Sequence, residues 1–240
     1  MLYMTISLIT TYMAVNHKRS KDRRAEFDIL LAFLSVKRFR REETMKTDNR
    51  KKLRKAMEKE LREKRYEHTL SVAYTAASLA MVHGENPDDA YLAGMLHDCA
   101  KGLSGDKMIE ICRKDRIPVS EVELKNPTAL LHAKVGSHLA HKKYNVSKKN
   151  ILHAIQYHTT GRPGMSTLEK IIYIADYIEP GRKHAANLAQ IRKMAYVNLD
   201  QTLLKILEDT LSYLRSAGGD IDAMTWKTYN YYRKLMEGED

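Results

Sequence analysis

Helix start and stop signals recur through most of the chain and leave little room for β-structure. Asn86, followed by Pro87 and two aspartates, is a strong helix start, because Asn caps free backbone N–H groups and acids favour the positive end of the helix dipole. Ser166 and Glu169 have the spacing of a capping box, and Pro180 ends that helix. No alternating strand pattern of useful length, internal repeat or low-complexity linker interrupts this series. The sequence therefore predicts an all-α fold, a compact helical bundle.

The apolar run of the helix that starts at Asn86 ends in "LHDCA". Ser104 is the predicted cap of the next helix, and a later helix is predicted to start at Ser147. The predicted helices cover about 48–64, 66–83, 86–100, 104–115, 126–144, 147–161, 166–180, 185–197, 199–216 and 222–236.

The net charge of +11 is concentrated near the start of the chain of 240 residues. Residues 1–45 hold nine basic and five acidic residues, residues 46–66 hold ten and four, and the remainder is close to neutral. A short basic segment that precedes a nearly neutral remainder does not form the continuous basic surface that nucleic-acid binding requires. Cys99 and Cys112 are too few for a disulfide framework, so we expect small buried residues in a reducing cytoplasm.

The first 15 residues, "MLYMTISLITTYMAV", carry no charge. This stretch is too short to span a bilayer, and it lacks the basic start and the cleavage site of a signal peptide. We therefore expect residues 1–45 to be a poorly ordered extension, a weak membrane-surface segment or the result of a start codon placed upstream of Met45. Residues 46–240 are predicted to form one helical domain.

Ionisable side chains occur where the helical pattern predicts inward-facing positions. His68 lies on a stripe with Val72 and Leu79, and Asp176 lies inside the apolar run "IIYIADYI". A lone histidine on such a face is usually a satisfied core group, but here the pattern repeats on several helices. The predicted inward-facing set is His68, His97, Asp98, His132, His158 and Asp176.

Burying so many ionisable groups without partners would cost several kcal/mol each, and metal coordination removes that cost. The set lacks the thiolates of a structural zinc site and has too few oxygen donors for calcium. Imidazoles with carboxylates suit iron, manganese, zinc, cobalt or nickel. Six ligands exceed the needs of one four-coordinate metal, so we expect two metals and a bridging carboxylate. Because adjacent helix positions differ by about 100°, His97 would bind one metal and Asp98 would bridge to the second.

The ordered set resembles the HD-domain superfamily of metal-dependent phosphohydrolases. The segments "RYEHT", "LAGMLHDCAK", "YHTTGRPGMSTLEKIIYIADYIEPGR" and "TYNYY" resemble one subfamily in particular, the YqeK-type bacterial symmetrical diadenosine tetraphosphate hydrolases. The resemblance covers about 46–236, and residues 1–45 have no counterpart in it.

This resemblance implies a cytoplasmic, homodimeric enzyme that splits diadenosine tetraphosphate into two ADP at a two-metal centre. It implies iron, with manganese, cobalt, nickel or zinc as alternatives. Two metals can polarise a phosphoryl oxygen and generate the attacking hydroxide near neutral pH. The implied catalytic residues are His97, Asp98 and Lys101.

Cations near the predicted ligands are candidates for holding the polyphosphate, although solvated surface charge is the alternative for each. Thr159 could donate its hydroxyl to a phosphate. The resemblance implies as substrate-binding residues Arg65, Asp98, Lys101, His132, His158, Thr159, Arg182, Tyr229 and Asn230.

Two other functions stay open at this point. One is another HD phosphohydrolase, acting on cyclic dinucleotides, guanosine tetraphosphate or ordinary nucleotides, since the ligand set alone does not distinguish these substrates. The other is a metal-stabilised regulatory protein that binds RNA or a nucleotide through its basic lead-in. A turnover assay on metal-loaded protein separates the two classes.

Overall fold

The computed structural model describes residues 49–183 and 187–238, together with Ser35. The chain divides into two units at Leu53, and the helical domain is the unit that starts at this residue. The expectations for residues 1–45, including their boundary with the helical domain, lie outside the described residues. No strand occurs in the described ranges, and the all-α prediction is confirmed.

The helices are connected by short turns, and a π-helical turn, Pro127–Leu131, leads into α6. The helices are α1 (49–60), α2 (Glu63–Val82), α3 (Pro87–Leu96), α4 (Gly105–Lys114), α5 (Glu121–Lys125), α6 (His132–Lys142), α7 (Lys149–Gln156), α8 (Thr167–Ile178), α9 (Leu188–Ala195), α10 (Leu199–Ser216) and α11 (Ala223–Glu237).

Three of the predicted helix starts are confirmed by side-chain caps. The Asn86 side chain accepts hydrogen bonds from the backbone N–H groups of the two aspartates that follow Pro87. Ser166 and Glu169 form the predicted capping box of α8, and Ser104 caps α4. The prediction for Ser147 is wrong, because α7 starts at Lys149 without a side-chain cap.

Helices α2, α3 and α8 form the centre of the fold, and α8 also packs on α10. A Cβ atom on Gly94 of α3 would lie 2.7 Å from the Cα atom of Ala73 on α2, so glycine permits the close crossing of these helices. This crossing brings the end of α3 next to the middle of α2.

A second, smaller hydrophobic cluster joins α4 to α6. It contains Cys112, and Cys99 belongs to the main core; both thiols are free and buried, as the sequence predicts. Among the residues described, no helix combines the length and apolar character needed to cross a membrane.

Candidate metal centre

The six predicted ligands lie together at the centre of the bundle. His68 is on α2, Asp176 is on α8, and His132 is the first residue of α6. The other three are in turns rather than in helices, which corrects the sequence prediction. Helix α3 ends at Leu96, so His97 and Asp98 lie in the turn that follows it, and His158 likewise lies after the end of α7.

Asp98 occupies the middle of the cluster, and each of its oxygens faces two imidazoles. Its Oδ2 lies 3.4 Å from Nε2 of His97 and 3.9 Å from Nε2 of His68. Its Oδ1 lies 3.2 Å from Nε2 of His132 and 3.8 Å from Nε2 of His158. Asp176 lies on the same side as His97 and His68, and its Oδ1 is 3.0 Å from Nε2 of His68. A carboxylate with this arrangement of neighbours is suited to bridging two cations.

Backbone carbonyls fix the orientation of two of the imidazoles. Nδ1 of His97 donates to the carbonyl of Gly94, and Nδ1 of His158 donates to the carbonyl of Ile155, both at 2.7 Å. A carbonyl only accepts, so the neutral rings direct their Nε2 lone pairs into the cluster. A lone pair of His97 therefore faces an Asp98 carboxylate, which is also an acceptor when ionised.

Two buried imidazole nitrogens have no hydrogen-bond partner within the described ranges, Nε2 of His97 and Nδ1 of His132, and Nε2 of His68 has only the close approach to Asp176. Acceptors that face one another are stabilised by a cation between them. Three overlapping groups have ligand atoms within 4.8 Å of one another: His68, His97 and Asp98; His97, His158 and Asp176; and Asp98, His132 and His158. The residues present therefore fit bound metal ions.

The electrostatics of the cluster favour the protonation states that metal ligands require at His158, His132 and Asp98, and His97 is the exception. Burial lowers the pKa of His158 to about 3, and the neighbouring histidines add to this effect. Burial also lowers the pKa of His132. Burial opposes ionisation of Asp98, but His97 and His132 outweigh it and hold the pKa of Asp98 well below its usual range. Burial disfavours protonation of His97 as well, yet the Asp98 carboxylate raises the pKa of that imidazole.

We predict that the metal-free protein loses stability as the pH falls below 6.5. In the unfolded chain His158 protonates near its ordinary pKa of 6.5, whereas in the folded chain it stays neutral down to about 3. The unfolded state thus binds more protons, and the free energy of unfolding should fall by about 1.4 kcal/mol per pH unit for this group. The lowered pKa of His132 also makes the protein less stable as the pH falls. The raised pKa of His97 affects stability only above pH 6.5, because below that value His97 is protonated in both the folded and the unfolded chain.

Urea unfolding of chelator-treated protein at pH 6.5 and about pH 5 measures this loss. Metal-loaded protein is the control, and it should change less because bound ions keep the imidazoles deprotonated in the folded state. Equal stability of the metal-free protein at the two pH values would contradict the burial of neutral His158.

The predicted arginines lie at the edge of the cluster. Nη1 of Arg65 lies 2.8 Å from Oδ2 of Asp98, and Nη2 of Arg182 lies 2.9 Å from Oδ1 of Asp176. Both arginine side chains are 42% exposed, and both line a cavity of about 1220 Å³ that Thr159 also lines. These three predicted residues are therefore placed where a ligand can reach both them and the cluster.

Lys101 lies in the turn that follows Asp98, and its Nζ donates to the backbone carbonyl of Thr128 at 2.7 Å. Burial lowers the pKa of this amine, and the Asp98 carboxylate opposes the shift. The positive charge of Lys101 thus interacts with the Asp98 carboxylate. Its Nζ atom is held in place by the π-helical turn.

Tyr229 and Asn230 are not brought to the cluster in the part of the chain that the structure describes. They line a separate groove, where the guanidinium of Arg215 lies over the ring of Trp226. Within "TYNYY" it is Thr228 that donates to the carbonyl of Thr160, next to the ligand loop. Successive helix positions point about 100° apart, so Tyr229 and Asn230 face away from Thr228, and their contact with a substrate stays a prediction.

Glu179, which is buried directly after α8, is not among the residues predicted from the sequence. Its Oε1 lies 3.2 Å from Nδ1 of His68, and its Oε2 accepts from the N–H of Gly181 at 2.5 Å. A carboxylate on one ring nitrogen directs the other nitrogen of His68 into the cluster. The sequence does contain a signal for Glu179: an acidic residue in "IEPGR", directly after the helix that carries the predicted ligand Asp176.

Comparison with known proteins agrees with this geometry. The HD domain family matches residues 65–181. A protein of Bacillus subtilis (strain 168) named bis(5'-nucleosyl)-tetraphosphatase, symmetrical, is 37% identical over 183 residues, which are 76% of this chain and 97% of the relative. A protein of the same name from Staphylococcus aureus (strain NCTC 8325 / PS 47) is 37% identical over 77% of this chain and 94% of its own length.

A solved structure from Clostridium acetobutylicum, described as a predicted HD superfamily hydrolase involved in NAD metabolism, has a similar fold. It has a TM-score of 0.74 and 40% sequence identity, and the match covers 77% of this chain and 97% of that chain.

Proposed function

Since the chain belongs to the HD-domain family of symmetrical bis(5'-nucleosyl)-tetraphosphatases, we propose that it hydrolyses diadenosine tetraphosphate to two ADP. The observation that carries this proposal is the position of Asp98 between two pairs of imidazoles, beside a cavity lined by Arg65 and Arg182. A polyphosphate that enters this cavity meets both the cluster and the guanidinium groups.

The six ligands would hold two ions, with Asp98 shared between them. We propose iron, and manganese, cobalt, nickel or zinc suit the same donors. Bound ions of this kind polarise a phosphoryl oxygen and make water a stronger nucleophile near neutral pH. The three overlapping ligand groups support a count of two.

The arginines would position the substrate. Each now pairs with a cluster carboxylate, and each is exposed enough to turn toward phosphate oxygens. Guanidinium groups bind phosphates through paired N–H donors, so Arg65 and Arg182 can grip one diphosphate. This grip would place the middle bridge of the four-phosphate chain at Asp98, which is what a symmetrical cut requires.

Product analysis by chromatography tests the proposal. Metal-loaded protein with diadenosine tetraphosphate should give ADP as the sole early product. AMP with ATP would contradict the symmetrical cut. Absence of turnover beside robust hydrolysis of a cyclic dinucleotide would favour the alternative HD substrate, and absence of any turnover would favour the regulatory protein. Arg182→Ala should weaken substrate binding while the metal content stays unchanged.

We also propose that residues 46–240 are sufficient for this activity. The relatives support this, because 183 residues of this chain match 97% of the Bacillus protein. A chain started at Met45 should keep the melting temperature and turnover of the full chain, within about 2 °C and twofold by the usual insensitivity to changes outside the packed fold. A large loss of either quantity would show that residues 1–44 contribute to the domain.

A cytoplasmic location and a homodimer are further proposals. Free buried thiols suit a reducing compartment, which supports the first. The second follows from the family resemblance, and light scattering on the purified protein measures it directly. A monomer at assay concentration would contradict the dimer.

A further inference from the structure

The turn that carries His158 and Thr159 is closed by a backbone hydrogen bond. In the loop between α7 and α8, the N–H of Gly161 donates to the carbonyl of Tyr157 at 2.9 Å. The ring of His158 has its own bond to the carbonyl of Ile155. The side chain of Thr159 is short, so the backbone of the turn sets where its hydroxyl lies at the cavity wall.

Helix α11 holds this turn from outside. Thr228 is fully buried, and its Oγ1 lies 3.0 Å from the carbonyl oxygen of Thr160 and 2.7 Å from that of Met224. The hydroxyl has one proton, which these two acceptors share. The peptide that closes the turn is thus held at both of its polar groups, at the carbonyl by Thr228 and at the N–H by the turn itself.

Gly161 shows how closely the helix and the turn approach each other. Its φ is +63°, and a Cβ atom at this position would lie 2.7 Å from the methyl carbon of Thr228. A larger residue would therefore collide with α11. Because packed groups transmit displacements to one another, a change at Thr228 should shift the turn.

The contact comes from a part of the chain outside the shared domain. The HD domain family matches residues 65–181, which include all six predicted ligands, and α11 lies beyond the end of this range. The buried side chains of α11 are Thr225, Thr228 and Tyr232, whose spacing places them on one face. The hydroxyl of Tyr232 accepts from the N–H of Met165 at 3.0 Å, so the helix also contacts the far end of the loop.

We propose that Thr228 is a positioning residue for phosphate binding, because its contact with the turn holds the Thr159 hydroxyl where a phosphate of the bound nucleotide meets it. This inference rests on the proposed function and adds a contribution from outside the HD domain. Thr159 lines the same cavity as Arg65 and Arg182, so a hydroxyl in a fixed place complements the guanidinium groups. Phosphate binding then depends on a fully buried residue of α11.

Isothermal titration of metal-loaded protein with ADP, the expected product, tests this role. Thr228→Val keeps the shape of the side chain but places a methyl group beside the Thr160 carbonyl, which loses its donor. The Kd of ADP should rise about fivefold to tenfold, as expected for the loss of one hydrogen bond to a charged group. Thr228→Ser keeps the hydroxyl and should bind ADP within about twofold of the parent protein.

A double-mutant cycle separates positioning from a general loss of stability. Thr159→Val removes the hydroxyl that Thr228 is proposed to hold, and it should raise the Kd of ADP at least as much as Thr228→Val. The double variant should bind ADP like Thr159→Val alone, because the second change has no hydroxyl left to displace. Losses that multiply would show that Thr228 acts independently of Thr159 and would overturn the proposal.

Two controls make the comparison specific. Tyr232→Phe removes the hydrogen bond at the far end of the loop; it should lower the melting temperature and leave the Kd of ADP within about twofold. A titration of metal-free protein with manganese should give Thr228→Val the same affinity as the parent, since Ile155 still orients His158. An equal rise in Kd for Tyr232→Phe, or weaker manganese binding by Thr228→Val, would contradict a role through Thr159.

Turnover of diadenosine tetraphosphate by the parent protein is measured in parallel. Normal turnover together with unaltered ADP binding by Thr228→Val refutes only the positioning role. Absent turnover refutes the proposed function, whereas a rise in the Kd of ADP that disappears in the Thr159→Val background still supports positioning by Thr228.

Discussion

Asp98→Ala should lose at least about a thousandfold in turnover of diadenosine tetraphosphate, since metal ions supply several kcal/mol of transition-state stabilisation in such sites. The reason is the central position of Asp98, which is the one carboxylate within 4 Å of all four cluster imidazoles in the described structure. Its removal takes away the oxygen that faces His68 and His97 and the oxygen that faces His132 and His158.

Elemental analysis of protein purified without chelators measures the associated loss of metal. The parent protein should hold two ions per chain, and Asp98→Ala should hold fewer than one. Asp106→Ala removes an exposed carboxylate on α4 and serves as the control with unchanged metal and turnover. An active Asp98→Ala protein, or a reproducible ratio of one ion or less in active parent protein, would count against the two-metal proposal.

Glu179→Ala should weaken metal affinity by about ten- to hundredfold, the usual effect of removing the carboxylate that orients a ligating imidazole. Without Glu179, Nδ1 of His68 loses its partner and the ring can rotate away from Asp176. The N–H of Gly181 also loses its acceptor, next to the residue that grips phosphate. Both effects should appear as a lower kcat/KM.

A titration of metal-free protein with manganese, followed by the rise in melting temperature, measures that affinity independently of activity. Glu179→Gln keeps a carbonyl acceptor for His68 and should recover part of the affinity. Glu169→Ala is the matched control, since Glu169 is also buried but pairs with Arg162 away from the cluster. It should lower the melting temperature and leave metal affinity unchanged; the same affinity in Glu179→Ala and the parent would refute the positioning role.

Helix starts and ligand types could be predicted from the sequence because both depend on local chemistry. The caps at Asn86, Ser104 and Ser166 need only neighbouring N–H groups. Helix α5 was missed because five residues are too few for a hydrophobic period, although Ser120 and Glu123 form a capping box.

Helix ends and faces were harder to predict, because tertiary contacts decide them. His97 and His158 lie beyond the ends of their helices, where each ring bonds to a carbonyl three residues earlier. Glu179 could not be predicted as a partner of His68 because the two residues are 111 positions apart in the chain. Tyr229 and Thr228 are adjacent on α11 and point about 100° apart, and the apolar pattern of the sequence does not show which of the two faces the ligand loop.

Gly94 connects two properties of the protein that are usually adjusted separately. Its missing side chain sets the distance between α2 and α3, and its carbonyl fixes the His97 ring. A residue that widened the crossing would move the anchor of a catalytic ligand at the same time. Selection for greater thermal tolerance therefore has little freedom here, and we expect libraries screened for stability and for hydrolysis to retain the same residue at position 94.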